Sequence, residues 1–282
     1  MNILIASSNS IRSNEIKALA EMLNKKHNVT IAAMAVSSPF MAQSFSFSIR
    51  PVRAECLIYK EVLKNTRGLT NLSGYEDILA YEFYATPADA ISIMLSEIML
   101  NNKPDLVICG ISNGVHLGED IYFSSNIGIA MESSFLNAPA IAVGTEYNPG
   151  GHSVESLMPT VKFIERNLDK LANLQLPKNT FLNISIPKVD SYNQLRGVKV
   201  TGLERMTLIN EYLEKTDPKG QKYYWANNVN KKGSNNPTGA KALYDDKFIV
   251  VNPINYDATN YDYLKFYESL EHKYFEEEKG GK

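Results

Sequence analysis

The spacing of apolar residues along the chain changes repeatedly between two patterns, which predicts strands separated by helices. Residues 3–6, 28–33 and 105–109 are short, mostly apolar segments typical of buried strands. Between them, apolar residues recur three and four positions apart, as on one face of a helix. These helical positions are Ile16, Leu19, Ala20 and Leu23 in the first helix, and Ile91, Met94, Leu95 and Ile98 in a helix opened by Thr86 and Pro87.

The same alternation continues to about residue 190. Residues 127–136 are predicted to be helical and 139–143 to form a strand, and a long amphipathic helix runs from Val154 to Leu171. Pro159 either kinks that helix or marks its true start. Residues 181–187 then alternate as a strand. Strands alternating with helices predict an α/β fold with a doubly wound, mostly parallel sheet.

The character of the sequence changes after about residue 191. Asn, Tyr, Lys and Gly are dense between 214 and 246, which predicts hairpins and a loop-rich arm rather than a strand of the core. A strand is expected at 248–252, a terminal helix at 261–275 and frayed residues at 276–282. We therefore expect a core at 1–190 and a C-terminal extension at 191–282 that belongs to the same unit.

Composition narrows the class of protein. Hydrophobic residues make up 44% and charged residues 21% of the 282 positions, as in soluble globular proteins. With 29 basic and 31 acidic residues, the net charge of −2 argues against a nucleic-acid polymer as partner. The two cysteines, Cys56 and Cys109, are too few for a disulfide framework, and no stretch approaches membrane-spanning length. These features predict a cytoplasmic protein with no membrane partner.

Polar segments follow the predicted strands where ligands bind in parallel sheets, at the carboxyl ends of strands. They are a polar loop at 7–10, a glycine-punctuated loop at 110–118 and the segment 124–126, which directly precedes a helix. The free N–H groups of a first helical turn favour an anion such as phosphate. The alternative is that these residues only cap the helix and turn the chain.

Several short motifs follow one another in a recognisable order. They are MNILI at 1–5, ATPAD at 85–89, PDLVICGI at 104–111, LGED at 117–120, Gly128 with AME at 130–132, PAIAV at 139–143, LNI at 182–184, GVKVT at 197–201 and VNPI at 251–254. In order and spacing they resemble the motifs of the SurE survival protein family, a group of metal-dependent nucleoside monophosphate phosphatases. The resemblance extends over some 250 positions.

The resemblance implies a Rossmann-like, three-layer core with a C-terminal β-hairpin arm used in oligomerisation. It also implies a divalent cation, Mg²⁺ or Mn²⁺, held beside the phosphate of a nucleoside 5'-monophosphate or related phosphomonoester. The expected partners are therefore a small phosphorylated ligand and further copies of the chain, in a dimer or tetramer.

The metal-ligand positions implied by the resemblance carry different residues here. The family's pair of successive Asp residues falls on Ser8 and Asn9, and its Asn ligand falls on Ser112. Its Ser ligand falls on Pro39, in an ungapped alignment anchored on residues 44–46. Hard cations such as Mg²⁺ usually require one or two carboxylates, which hydroxyl and amide groups do not replace. We therefore expect a degraded metal site and weak activity.

Two acidic residues and two histidines offer further chemistry. Glu119 and Asp120 either form a solvated loop or belong to a rebuilt site, in which Asp120 and His116 coordinate a transition metal that accepts mixed N and O ligands. His152 could act as a general base, but a lone histidine at the start of an amphipathic helix is more often a capping or surface group.

The positions that the resemblance assigns to phosphate binding differ less from the family than the metal positions do. The family's Ser-Gly-Thr becomes Ser124, Ser125 and Asn126, and these three are predicted to bind phosphate together with Ser112 and Asn113. Ser124, Asn126 and Asp120 are the candidate catalytic residues.

Two functional alternatives stay open: a weak phosphohydrolase, or a non-catalytic paralogue that keeps the fold, the assembly and a phosphate or nucleotide pocket. In the arm, Tyr223, Tyr224 and Trp225 either form an interface or pack onto the core.

Overall fold

A computed structural model describes residues 1–46, 50–64, 72–204, 206–233 and 239–268. The strands are β1 (Asn2–Ser10), β2 (Asn28–Met34), β3 (Arg53–Ile58), β4 (Leu79–Tyr84), β5 (Leu106–Asn113), β6 (Ala140–Thr145), β7 (Thr180–Ile186), β8 (Val198–Val200), β9 (Met206–Thr216), β10 (Lys222–Gly233) and β11 (Ile249–Asn255). The α-helices are α1 (Asn14–Leu23), α2 (Tyr59–Lys64), α3 (Pro87–Ile93), α4 (Ser125–Phe135), α5 (Val154–Ala172), α6 (Ala240–Asp245) and α7 (Tyr261–Glu268). A π-helical turn (Met94–Ile98) continues α3, and short 3₁₀ helices span Glu119–Tyr122 and Tyr192–Gln194.

Nine strands form one sheet in the order β3-β4-β2-β1-β5-β6-β7-β11-β8. The six strands from β4 to β7 in this order are parallel to their neighbours, whereas β3 and β11 run antiparallel to β4 and β7. The chain first builds outward from β1 to β2 and β4, and then returns to the other side of β1 to add β5. The carboxyl ends of β1 and β5 therefore flank the topological switch point, where such sheets bind ligands.

Strand β1 is buried on both faces because it lies between two helical layers. Ile3 and Ile5 belong to one hydrophobic core, whereas Leu4 and Ala6 belong to another. The first core includes residues of α1 and α5, and the second includes residues of α3 and α4. This three-layer arrangement confirms the predicted mostly parallel α/β fold.

Side-chain caps fix the starts of the main helices. Ser13 accepts from the N–H of Ile16, and Ser153 accepts from the N–H of Ser156. Thr86 and Asp89 form a reciprocal capping box at α3. Pro159 lies inside α5, so the interpretation that it marks the start of that helix is wrong.

The strands β1 and β5 are longer than the sequence predicts. Residues 7–10 and 110–113 were expected in loops, but they continue β1 and β5. Both extensions contain a register shift, between Ser7 and Ser10 against β2 and between Gly110 and Ser112 against β6. Polar residues occur in these strands because they lie at the sheet edge where the functional loops begin. Strands β3 and β4 and helices α2 and α6 were not predicted.

The C-terminal extension contains the expected hairpin and returning strand. Strands β9 and β10 form a separate two-stranded antiparallel sheet, and β11 returns to the main sheet beside β7. Helix α7 matches the first part of the predicted terminal helix. The rest of that helix and the tail at 276–282 lie outside the described residues. No helix within the described ranges is long and apolar enough to cross a membrane.

The aromatic residues of the hairpin are exposed. Tyr224 and Trp225 keep 59% and 63% of their surface accessible, and the Tyr223 and Trp225 rings contact each other edge to face. The alternative in which these rings pack onto the core is therefore wrong for this chain taken alone.

Candidate functional site

The first turn of α4 lies between the carboxyl ends of β1 and β5 and joins them through one side chain. The oxygen Oδ1 of Asn126 accepts from the backbone N–H of Ser8 at 2.9 Å. Its nitrogen Nδ2 donates to Ser112 Oγ at 2.8 Å. Ser8, Ser112 and Asn126 are 1%, 9% and 3% exposed. These three residues form the amide bridge, a neutral hydrogen-bonded connection at the switch point.

The orientation of the Asn126 carboxamide follows from its partners. A backbone N–H can only donate, so the atom that faces Ser8 must be the oxygen and the atom that faces Ser112 must be the nitrogen. The Ser112 hydroxyl consequently receives a hydrogen bond. The amide bridge thus presents an NH₂ group, with its partial positive charge, toward Ser112.

Asn9 is held in a similar way. Its Nδ2 donates to the carbonyl oxygen of Ile111 at 3.0 Å, and its backbone N–H donates to Ser7 Oγ at 3.2 Å. A carbonyl oxygen only accepts, so this amide orientation is also fixed. Asn9 therefore ties β1 to β5 a second time.

The loop that contains Pro39 packs onto the start of α4. The Ser125 N–H donates to the Pro39 carbonyl at 3.1 Å, and Ser125 Oγ donates to the Ser38 carbonyl at 2.5 Å. The N–H of Met41 donates back to Ser125 Oγ at 2.8 Å. A β-carbon on Gly128 would lie 2.2 Å from the Ala42 carbonyl oxygen, so the close approach of this loop requires glycine there.

The helix start is less open to an anion than the sequence indicates. Ser124 caps α4 by accepting from the N–H of Ile127 at 3.3 Å, and the N–H of Ser125 is engaged by Pro39. Two of the N–H groups predicted to receive phosphate therefore already have protein partners. Ser124 and Ser125 are buried.

Asn113 fastens the loop after β6. Its Nδ2 donates to the Asn148 carbonyl at 2.8 Å, and the Asn148 N–H donates to Asn113 Oδ1 at 2.7 Å. Asn148 Nδ2 in turn donates to the Gly151 carbonyl at 2.5 Å. Asn113 thus positions the segment that leads to His152.

His152 is buried, with 4% of its surface exposed, so the expectation of a capping or surface group is wrong. Ser153 caps α5 instead, and the His152 carbonyl accepts from Asn14 Nδ2 at 2.7 Å. Within the described part of the chain, His152 Nε2 is buried without a hydrogen-bond partner.

His116 and Asp120 lie in a different part of the same sheet edge. His116 Nδ1 is 3.6 Å from Asp120 Oδ2, and Asp120 Oδ1 accepts from the N–H of Gly118 at 2.9 Å. The His116 carbonyl accepts from Asn183 on β7 at 2.6 Å. Strand β7 is two strands from β5, or about 10 Å at ordinary sheet spacing. The backbone of His116 is thus tied to the β7 side of the edge.

Asp120 is buried within the short helix Glu119–Tyr122, so the solvated-loop interpretation is wrong for this residue. Among the residues that the structure describes, no group of three or more His, Cys, Asp and Glu side chains could hold a metal ion. A rebuilt site at His116 and Asp120 would have to draw its other ligands from different groups.

Two basic residues follow β1 near this edge. Arg12 forms an ion pair with the buried carboxylate of Glu82. Lys17 is buried on α1 and donates to Asn14 Oδ1 at 3.2 Å. Burial lowers the pKa of Lys17, while nearby Glu15 partly opposes that shift. The charge of Arg12 is partly neutralised by Glu82, and the positive charge of Lys17 is disfavoured by its burial.

Comparison with known families supplies the decisive observation. The sequence model of the family described as "Survival protein SurE" matches residues 3–210, which is most of the chain. The chain belongs to the SurE family.

Relatives and a solved structure agree with this assignment over nearly the whole SurE-like chain. A 5'-nucleotidase SurE from Thermoanaerobacter sp. (strain X514) is 28% identical, over 97% of this chain and 99% of that protein. A 5'-nucleotidase SurE from Carboxydothermus hydrogenoformans is 29% identical, over 94% of each. The crystal structure of a SurE protein from Aquifex aeolicus superposes with a TM-score of 0.73 at 25% identity, covering 96% of this chain and 100% of that one.

The SurE resemblance drawn from sequence pointed to the positions now found together. Ser8 and Ser112 belong to the amide bridge, Asn9 ties the same two strands, and Pro39 contacts Ser125 at the start of α4. Asn113 bonds to the loop after β6 instead, and Asp120 bonds to Gly118 and faces His116. Sequence reasoning did not single out Ser38 or Asn148. The only signal for Asn148 is the turn sequence NPGG at 148–151.

The divalent cation implied by the SurE family does not fit these residues. None of the four positions carries a carboxylate, and Pro39 offers no side-chain oxygen. The Asn126 amide directs its NH₂ hydrogens to Ser112, where a cation would need a lone pair. Hydroxyl and amide groups that already bond one another form a poor ligand set for Mg²⁺ or Mn²⁺.

Proposed function

We propose that this chain binds nucleoside 5'-monophosphates or related phosphomonoesters and hydrolyses them only weakly. One observation carries the proposal: the residues at the SurE metal and phosphate positions lie together at the switch point, but they form a neutral network. The 5'-nucleotidase SurE relatives match nearly the full chain, which supports the substrate class and the reaction.

Hydroxyl and amide groups are suitable for contacting a phosphate without metal. In this proposal Ser112 and Asn126 of the amide bridge, with Ser124 at the cap of α4, contact the phosphoryl oxygens, and Asn113 holds the neighbouring loop in place. Ser125 shapes the site through its bonds to Ser38 and Met41. These neutral groups bind and orient the substrate, which is a smaller contribution than metal activation of water.

Asp120 is the proposed acid–base residue, because among the candidate catalytic residues it alone has an ionisable side chain. Its carboxylate faces His116 at 3.6 Å and is buried.

A non-catalytic paralogue is the second candidate. It is favoured by the absence of a carboxylate at positions 8, 9, 39 and 112, since metal-assisted hydrolysis depends on such ligands. Under this alternative the chain keeps the nucleotide pocket but releases no phosphate.

Calorimetric titration with AMP, adenosine and inorganic phosphate, combined with an assay of phosphate release from AMP, separates the candidates. Binding of AMP but not adenosine, with slow phosphate release, supports the weak phosphohydrolase. Binding without release supports the paralogue. Absence of AMP binding contradicts both. Ser112→Ala should weaken AMP binding, whereas the matched change Ser156→Ala, at a half-buried position of α5, should leave it unchanged.

We further propose that the chain self-associates in the cytoplasm through its C-terminal extension. Aromatic side chains are exposed on the hairpin and on α7, and Tyr and Trp are favoured in interfaces. The exposed chain surface contains Trp225, Phe266 and Tyr267. Light scattering should give a dimer or tetramer, and a monomer at working concentration would contradict this part of the proposal.

A further inference from the structure

We propose that the carboxamide of Asn126 takes the structural place of a divalent cation, so that the site is complete without metal. The inference concerns the same site as the proposed function, but it does not require that the protein hydrolyse any substrate. A cation held at the metal positions that the resemblance implies, 8, 9, 39 and 112, would connect β1, β5 and the loop that carries Pro39. In this chain the amide bridge connects β1 to β5 through α4 with two hydrogen bonds.

The direction of each bond supports the proposal. Asn126 uses both ends of its carboxamide, with the oxygen toward Ser8 and the nitrogen toward Ser112. A ligand for Mg²⁺ or Mn²⁺ must direct an oxygen lone pair at the ion. An amide NH₂ directed at Ser112 opposes a cation there, so the bridge and the ion exclude each other.

The surrounding contacts make the bridge part of a wider neutral network. Asn9 ties β1 to Ile111 on β5, and the Ser38 N–H donates to the Ser8 carbonyl at 2.8 Å. Ser125 binds the same loop through the Ser38 and Pro39 carbonyls. Buried polar groups that are fully paired in this way rigidify a site without any charge that needs neutralisation.

The test uses thermal unfolding of the metal-stripped full chain in EDTA and in about 1 mM Mn²⁺. The wild-type midpoint should differ by less than about 1 °C between the two conditions, because no cation binds the folded state preferentially. Asn126→Asp keeps the shape of the side chain and replaces the NH₂ group with a carboxylate oxygen. In that variant Mn²⁺ should raise the midpoint by about 5–10 °C, the shift expected for micromolar affinity in a protein of this size.

Two variants control for charge and for folding. Asn101→Asp adds the same charge at an exposed position and should gain no response to Mn²⁺. Asn126→Ala should lower the midpoint equally in EDTA and Mn²⁺, because it breaks the bridge without creating a ligand. Wild-type stabilisation of several degrees by Mn²⁺ would overturn the inference, as would an Asn126→Asp variant that folds but ignores Mn²⁺. If Asn126→Asp does not fold, the comparison of the wild-type unfolding midpoints in EDTA and in Mn²⁺ decides alone.

This test is independent of turnover. A wild-type chain that ignores Mn²⁺ and also fails to bind AMP would contradict the proposed function but support the amide bridge. A chain that binds AMP and is strongly stabilised by Mn²⁺ would support the proposed function but contradict the amide bridge as a replacement for the cation.

Discussion

Asn183 on β7 donates from Nδ2 to Asn252 Oδ1 on the neighbouring strand β11 across 3.1 Å, at a position where the two residues are directly paired in the sheet. The other Nδ2 hydrogen of Asn183 is directed to the His116 carbonyl. Asn252 donates from its own Nδ2 to the carbonyls of Thr201 and Gly202. This buried pair therefore holds two loops against the carboxyl-end edge of the sheet.

Replacing Asn252 with Ala should destabilise the protein by about 1–3 kcal/mol, because one hydrogen of Asn183 and two loop carbonyls lose their partners in the interior. Urea unfolding provides the measurement. Asn101→Ala, at an exposed turn, should cost less than about 0.5 kcal/mol. Asn183→Ala and the double variant complete a cycle in which the two losses should not add. Strict additivity would show that the two amides act separately.

Replacing Gly128 with Ala should destabilise the protein and displace the loop that carries Pro39. The new β-carbon would lie 2.2 Å from the Ala42 carbonyl oxygen and 2.7 Å from its carbon, and both are backbone atoms that cannot rotate away. We expect a loss of about 1–3 kcal/mol in the free energy of unfolding. Gly150→Ala is the control, since its nearest neighbour would be Asn148 Oδ1 at 3.8 Å. Equal stability of both variants would be inconsistent with tight loop packing.

The two cysteines should differ sharply in reactivity. Cys56 is exposed on β3, whereas Cys109 is fully buried in β5, and burial raises the pKa of its thiol. A thiol reagent should therefore label one site in the folded protein and two in denaturant. Cys56→Ser should abolish native labelling. Rapid native labelling of that variant would show that β5 opens readily.

Alkaline pH should weaken the fold through Tyr59. Its hydroxyl donates to the Ile11 carbonyl at 3.2 Å, and burial raises the pKa of Tyr59 well above its ordinary value. Because the folded state holds this proton more tightly, its contribution to stability is complete below about pH 10 and is lost as the pH rises further.

Tyr59→Phe removes this titration and one hydrogen bond, worth about 0.5–1.5 kcal/mol at neutral pH. The difference in unfolding free energy between wild type and variant should shrink as the pH rises above about 10. Parallel curves for the two proteins through that range would refute the assignment.

The sequence predicted the fold well where local pattern and tertiary structure agree. The helical spacing from Ile16 to Leu23 corresponds to α1, and the apolar run at 139–143 corresponds to β6. Strand β4 was missed because Glu82 is buried in it and pairs with Arg12, a contact that no local pattern contains. The ends of β1 and β5 were predicted as loops because they are polar. Their polar residues form hydrogen bonds within the site and do not face solvent as loop residues commonly do.

The sequence indicated which residues belong to the site, but not the hydrogen bonds that join them. The SurE resemblance singled out Ser8, Ser112 and Asn126, yet Ser8 and Asn126 are 118 positions apart, and only the folded sheet shows that they bond. The family and the fold class are confirmed. The roles of the individual residues, the two-part domain division and the oligomer stay predictions.

The most direct test of this account is phosphate release from AMP by the metal-stripped protein, measured in EDTA and again with Mn²⁺ at saturating AMP. The account predicts slow release that changes by less than about twofold between the two conditions, because the neutral site neither needs nor holds a cation. An increase of about a hundredfold or more on adding Mn²⁺ would contradict it, and would mean that this SurE-family chain assembles a metal site from residues other than those at positions 8, 9, 39 and 112.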